Sequence, residues 1–169
     1  AEEMWTNYEY YLSRILPVAE EAGVQLALHP DDPPVGSLGG VARIFCDFDG
    51  FKRAMDTFDS PNHGLDFCMG CWSEMGGMQS VIHAIRHFGE RKKIIYVHFR
   101  DVQGQVPCFN ECFIDEGNVD PLAVMATLKQ VGFTGFLITD HVPHMVDDTD
   151  WGHRSRAYAI GYMRALLDV

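Results

Sequence analysis

The sequence predicts an α/β fold: a partial (βα) barrel of order α(βα)4, that is, half of a TIM barrel with parallel strands. Three observations predict it. The runs Val24–His29, Leu65–Cys68, Ile94–His98 and Phe136–Asp140 are short and rich in β-branched and aromatic residues, as strands are. The segments between them carry apolar residues at helical spacing. Gly23, Gly89 and Gly132 mark the ends of those segments, where helices stop. Alternating strands and helices imply a parallel sheet with right-handed crossovers, and residues 1–169 read as a single domain.

In chain order, Trp5, Tyr8, Leu12, Ile15, Leu16 and Ala19 predict an amphipathic helix over Glu3 to Ala22, with Pro17 kinking it. The strand to His29 runs into Pro30–Gly40 (PDDPPVGSLGG), too rich in Pro and Gly for regular structure, whose glycines read as a flexible lid. Asp49 is the expected cap of a short helix carrying Phe51, Ala54, Met55 and Phe58. After the strand to Cys68, Met78, Val81, Ile82, Ile85 and Phe88 form a helical stripe. Beyond His98, Val102–Phe113 reads as a hairpin turning at Gln103 and Gly104. Asp120 and Pro121 are the N-cap and first residue of a helix through Val131. The strand to Asp140 and a helix near Ser155–Leu167 complete the order.

At 169 residues with 47% hydrophobic content, the chain is long enough to bury a core. A net charge of -11 argues against nucleic acid or an anionic membrane as partner, because phosphate binding needs clustered Lys and Arg. No apolar stretch reaches the roughly 20 residues that span a bilayer, and no signal peptide is visible, so a cytoplasmic place is expected. The five cysteines are expected as free thiols; Cys68 and Cys71 form a C-x-x-C, but no second such pair completes a zinc knuckle. Four strands do not close a barrel, which takes about eight strands and about 250 residues. Open parallel edges are a pairing hazard, so a closing partner is expected: a second copy in a homodimer or higher oligomer, or a preceding half of which Ala1 is not the start.

His29, Cys68, His98 and Asp140 each close one strand, and functional groups of parallel α/β folds gather at the C-terminal strand ends. Each alone has a plainer reading: a hydrogen-bonded histidine, a small buried thiol, a turn-capping aspartate. Together they form a mixed N, S and O donor set suited to a catalytic divalent metal, for which zinc, iron(II) and manganese all qualify. Ligands on both outer strands converge only if the sheet curves, since four strands about 4.8 Å apart span roughly 14 Å. Arg43, Arg100 and Arg154 are candidate partners of a substrate carboxylate. Asp31 and Asp32 are expected to fix their loop or orient His29, and Glu111 and Glu116 lie on the loop after His98.

The segments H-P-D-D-P-P (His29 to Pro34), F-C-M-G (Phe67 to Gly70), I-Y-V-H-F-R (Ile95 to Arg100), D-E-G-N-V-D (Asp115 to Asp120), T-D-H-V-P (Thr139 to Pro143) and R-A-Y-A-I-G-Y (Arg156 to Tyr162) resemble the C-terminal half of mannonate dehydratase. That family is similar in fold to the xylose-isomerase-like TIM barrels. The resemblance implies dehydration of D-mannonate to 2-keto-3-deoxy-D-gluconate in hexuronate (glucuronate) catabolism, with a divalent metal: manganese first, Fe2+, Zn2+ or Mg2+ as alternatives. It also implies His29, Cys68, His98 and Asp140 as metal ligands, and His141 and Tyr158 as the acid-base pair. Such a dehydration needs a base for the C2 proton, an acid for the leaving hydroxyl and an electrophile for the developing charge. Two other readings compete: a sugar isomerase or epimerase of the xylose-isomerase-like type, and a non-catalytic half-barrel that retains a metal.

Overall fold

The computed structural model of the chain describes residues 1–168. Its centre is a four-stranded parallel sheet of β1 (Leu26–Leu28), β4 (His63–Cys68), β5 (Ile94–His98) and β8 (Leu137–Ile138), paired in the order β1-β4-β5-β8. The helices are α1 (Glu2–Ala22), α2 (Phe48–Thr57), α3 (Met69–Glu90), α4 (Pro121–Gln130) and α5 (His153–Leu167). Two-stranded antiparallel hairpins, β2 (Ser37–Leu38) with β3 (Val41–Ala42) and β6 (Val102–Gln105) with β7 (Cys108–Glu111), sit in the loops after β1 and β5. The α/β half-barrel with its parallel strands is thus the observed architecture.

The core lies where α2 and α3 meet the sheet. Phe51, Phe67, Trp72 and Phe88 are buried, with Phe67 stacked on Trp72 at 5.6 Å and Phe51 tilted against it at 5.0 Å. Rings of this size contribute most to core burial, and offset or tilted contacts suit their quadrupoles. Trp5 and Tyr8 bring α1 into the same core, edge-on to Phe45. α1 runs unbroken through Pro17, which is exposed. Gly23 closes the helix at φ 67, donating its N–H to the Ala19 and Glu20 carbonyls.

Several sequence expectations are corrected by the local geometry. Asp47, not Asp49, caps α2, because its carboxylate reaches the Gly50 N–H at 2.8 Å while Asp49 is already inside the first turn. The GSLGG segment is a hairpin: Gly39 (φ 57) and Gly40 (φ 81) take the two positive φ values that a primed turn requires. The second hairpin turns at Val106 and Pro107, not at Gln103 and Gly104, which are inside β6. α3 starts directly after Cys68 and breaks at Gly76 and Gly77 (φ 61, ψ −152), so the Met78–Phe88 stripe is only its second part. β1 and β8 are shorter than the runs that announced them. Each is an edge with one neighbour, and the ladder stops before His29 and Asp140.

A register shift between Leu65 and Asp66 pairs Leu65 with Ile94 but Asp66 with Tyr96 and Cys68 with His98. That bulge puts Asp66, Cys68, Tyr96 and His98 on one face of the sheet. Among the described residues, no further strand pairs with β1 or β8. Beside β8 an apolar groove of about 1120 Å³ runs between α4 and α5, with Leu122, Phe136, Ile138, Ile160 and Leu167 exposed along it. Among the described residues no helix is long and apolar enough to cross a membrane.

Two outcomes follow from this packing. Asp47→Ala should lower the unfolding free energy in urea by about 1 kcal/mol, the usual worth of a helix N-cap, whereas Asp49→Ala should change it by a few tenths at most. His63, buried against the Tyr8 hydroxyl at 2.9 Å, is held below its ordinary 6.5 by burial, with the Phe58 carbonyl opposing and the Lys93 charge assisting. A depressed histidine binds fewer protons folded than unfolded. Its contribution is therefore complete above about pH 6.5 and is lost as the pH falls toward the folded value. The stability gap between wild type and His63→Gln, read by urea unfolding, should shrink on going from about pH 7 to about pH 5.5.

Candidate metal centre

The four strand-end residues meet. One donor atom each from His29, Cys68, His98 and Asp140 lies within 4.8 Å of all the others, although β1 and β8 are the opposite edges of the sheet. Flat, the sheet would keep its edges roughly 14 Å apart, so the convergence comes from barrel-like curvature.

Each donor is aimed by a neighbour. The His29 Nδ1 is 2.7 Å from the Pro30 carbonyl, which takes its N–H and leaves the Nε2 lone pair for the cluster. The His98 Nε2 stands 3.3 Å from Asp66 Oδ2, and its buried Nδ1, 3.5 Å from Asp140 Oδ2, has no hydrogen-bond partner. A carboxylate behind a histidine is the arrangement that fixes a ligating imidazole. The two imidazole rings are 5.2 Å apart. Asp140 closes its strand in the left-handed region at φ 57, uncommon for a residue with a side chain. Two imidazoles, a thiolate and a carboxylate, one of them with an orphaned buried nitrogen, fit a divalent ion.

The electrostatics favour a thiolate. Burial raises the Cys68 thiol, but contacts with Cys71, His29 and His98 and the Arg100 charge outweigh it and bring the group well below its ordinary value. Burial pulls His29 down, yet the Cys68 contact and charge push it up to about 9. Cys71 is raised, its proton held toward the Cys68 thiolate and its burial adding to the effect.

Arg100 was a candidate for a substrate carboxylate; the structure surrounds it with the protein's own acids. Its side chain is 3% exposed, with Nη2 2.8 Å from Asp32 and 3.3 Å from the Cys71 sulfur, Nη1 3.1 Å from Glu74 and 3.0 Å from Glu111, and Nε 3.4 Å from Asp140. Gly70 makes room for it, since a Cβ there would strike the guanidinium. Asp32, Cys71 and Glu74 also converge as a possible ligand group, but the guanidinium already bonds all three and supplies their cation. Burial raises Glu74 to about 7 against the opposing Arg100 charge.

Arg43 and Arg154 are each engaged by other groups of the protein. Arg43 pairs with Asp31 at 2.6 Å, which fixes the loop as expected of Asp31, and Arg154 donates to the Val146 carbonyl. His141 is at the site, its Nε2 3.3 Å from Asp140 and its Nδ1 3.5 Å from Glu111, whose contact raises its pKa above the ordinary value. Tyr158 lies on α5, edge-on to Phe113, and its contact with Asp115, then burial, raises it to about 12. The Glu116 carbonyl accepts from Gln103, so Glu116 braces the loop.

Sequence reading passed over Asp66, Glu74 and Asp101. Asp66 carried a signal: two residues before Cys68, it shares that strand face. Glu74 lies one helical turn beyond Cys71 and carried a weaker signal. Asp101 accepts from Ser73 Oγ, Val102 N and Val119 N, which pins the loop bearing Glu111, and no spacing announces it.

A curved parallel half-sheet with a four-donor cluster at its strand ends defines an α/β-barrel protein with a candidate metal centre. The fold matches that of a xylose isomerase domain protein from Alicyclobacillus acidocaldarius, with a TM-score of 0.69 at 15% identity over 97% of this chain and 60% of that one. The family model for D-mannonate dehydratase (UxuA) matches residues 1–169, and the chain belongs to that family. It is 35% identical to mannonate dehydratase 2 of Halalkalibacterium halodurans over 98% of its own length and 47% of that protein's. It superposes on the crystal structure of mannonate dehydratase from Streptococcus suis serotype 2 with a TM-score of 0.85 at 31% identity, covering 98% of this chain and 48% of that one. The chain therefore spans about half the length of the relatives it matches.

Removing Arg100 would strand a carboxylate that is fully buried at Glu74. Arg100→Met should cost about 3–5 kcal/mol in urea unfolding, the scale for a broken buried ion pair. Adding Glu74→Gln should return part of that loss, and a purely additive pair would show that the two do not depend on each other.

Proposed function

We propose that this chain carries the metal centre and acid-base residues of a D-mannonate dehydratase, a carbon-oxygen lyase that forms 2-keto-3-deoxy-D-gluconate and water. The observation that carries the reading is the meeting of four strand-end donors within 4.8 Å in a chain of that family. His29, Cys68, His98 and Asp140 hold a divalent metal, Mn2+ in this reading. When bound, such an ion polarises the carboxylate and hydroxyl oxygens of a sugar acid.

The chain's own groups do the rest. His141, beside Asp140 and raised by Glu111, exchanges a proton at a ring nitrogen. Tyr158, kept protonated by its contact with Asp115, offers the phenolic proton. The two divide removal of the C2 proton and protonation of the leaving hydroxyl. Arg100 does not pair with the substrate in this scheme. It holds Asp32, Glu74, Glu111 and Asp140 in place.

The open edges β1 and β8 and the apolar groove beside β8 favour a closing partner. In this reading two copies pair edge to edge, β8 of one beside β1 of the other, in a cytoplasmic enzyme of glucuronate breakdown. Sedimentation and metal analysis on the same sample test it. A dimer with one metal per chain is expected, and a metal-free monomer argues instead for a non-catalytic half-barrel.

Metal-loaded protein incubated with D-mannonate should yield the 2-keto-3-deoxy acid; no product across Mn2+, Fe2+, Zn2+ and Mg2+ would remove the dehydratase activity from this chain. Cys68→Ala and Asp140→Ala should each strip the metal, as read by elemental analysis after dialysis. Full occupancy in both variants would sink the ligand assignment.

A further inference from the structure

The left-handed turn at Asp140 is held by one side chain from the next helix. Arg156, in the first turn of α5, donates from Nη1 to the Asp140 carbonyl at 2.6 Å and to Thr139 Oγ1 at 2.9 Å. Its Nε donates to the Trp151 carbonyl at 2.9 Å, and its guanidinium lies over the Trp151 ring at 4.4 Å from the centroid. The fork thus ties together both ends of the loop from Asp140 to α5.

Two physical facts make this placement unusual. A residue with a Cβ takes the left-handed conformation at a cost of roughly 1–2 kcal/mol, and Asp is one of the few that does so singly. A cation in the first turn of a helix also faces the positive end of the helix dipole. Neither is needed for packing α5, whose buried residues are Ser155, Ala159 and Met163. The Asp140 carbonyl is turned toward Arg156, while the carboxylate on the same residue is turned into the cluster, 3.5 Å from His98 Nδ1 and 3.3 Å from His141 Nε2.

We propose that Arg156 is a positioning residue for the metal centre: by fixing the Asp140 backbone in its left-handed turn, it aims the Asp140 carboxylate at the site shared by His29, Cys68 and His98. The inference rests on the reading of Asp140 as a ligand. It assigns Arg156 no contact with substrate or metal.

Co2+ titration of the full chain tests it, with the Cys68 thiolate-to-cobalt absorption band as readout. Arg156→Met should weaken Co2+ binding by about 10- to 100-fold, the usual effect of losing a group that orients a ligand, and leave the metal-free thermal midpoint within a few degrees. Arg156→Lys, which keeps the charge but not the fork, should recover only part of the affinity. In an Asp140→Ala background, Arg156→Met should change Co2+ affinity no further, because its effect runs through Asp140.

Wild-type affinity in Arg156→Met overturns the proposal. So does an equal loss with and without Asp140, or an Arg156→Met protein that no longer folds, which would make Arg156 a structural residue. If Asp140→Ala itself binds Co2+ as wild type does, the ligand reading fails instead, and the two failures are told apart.

Discussion

The site is built around a buried guanidinium. Arg100 is 3% exposed and stands within 3.4 Å of carboxylate oxygens from Asp32, Glu74, Glu111 and Asp140. These acids come from the loop after β1, from α3, from β7 and from the end of β8. A single cation therefore makes every strand-end segment of the site depend on every other. Without it, the fully buried Glu74 carboxylate would lose its cation, and the partly exposed Asp32, Glu111 and Asp140 would lose the charge that draws them together. Glu74, raised to about 7 even with Arg100 present, shows how far burial opposes charge there.

The arrangement also separates two layers of chemistry. To hold a divalent ion the donor cluster would need deprotonated groups, and Arg100 favours the Cys68 thiolate by charge without occupying the cluster. The histidines are fixed by neutral or carboxylate oxygens, the Pro30 carbonyl behind His29 and Asp66 behind His98, which point each free nitrogen inward. One geometry thus serves orientation and charge with different residues. That division is what a site for a divalent ion requires, because a guanidinium among the ligands would repel the metal.

Much of this was readable in the sequence, and what was not has a physical reason. The four strands, the five helices and the strand-end donors follow from local patterns: apolar runs, helical spacing, and glycines or an Asp-Pro pair at boundaries. The flanking motifs identified the family correctly. Details set by tertiary geometry were missed. Asp47 rather than Asp49 caps α2 because the helix begins at Phe48, where the Asp47 carboxylate meets the Gly50 N–H, and spacing alone does not fix that start. Arg100 looked free to meet a substrate because Asp32, Glu74 and Glu111 lie 68, 26 and 11 residues away in the chain. No one-dimensional pattern encodes that convergence. Asp66 could have been found by counting two residues back from Cys68 along the strand, and Glu74, less surely, one helical turn beyond Cys71.

The inner face explains why half a barrel can carry the donors yet leave the walls open. Strand side chains alternate, so the face that presents Cys68 and His98 at its top presents Asp66 and Tyr96 one step below. On β8 the same alternation puts Ile138 and Phe136 beneath Asp140, Phe136 stacked on Tyr96 at 4.8 Å. Those two remain 39% and 57% exposed, while Cys68 is fully buried. Any surface that covered this edge would therefore meet apolar side chains at Phe136, Ile138 and the groove beside β8. Recognition at such an edge would rest on shape and burial rather than on charge.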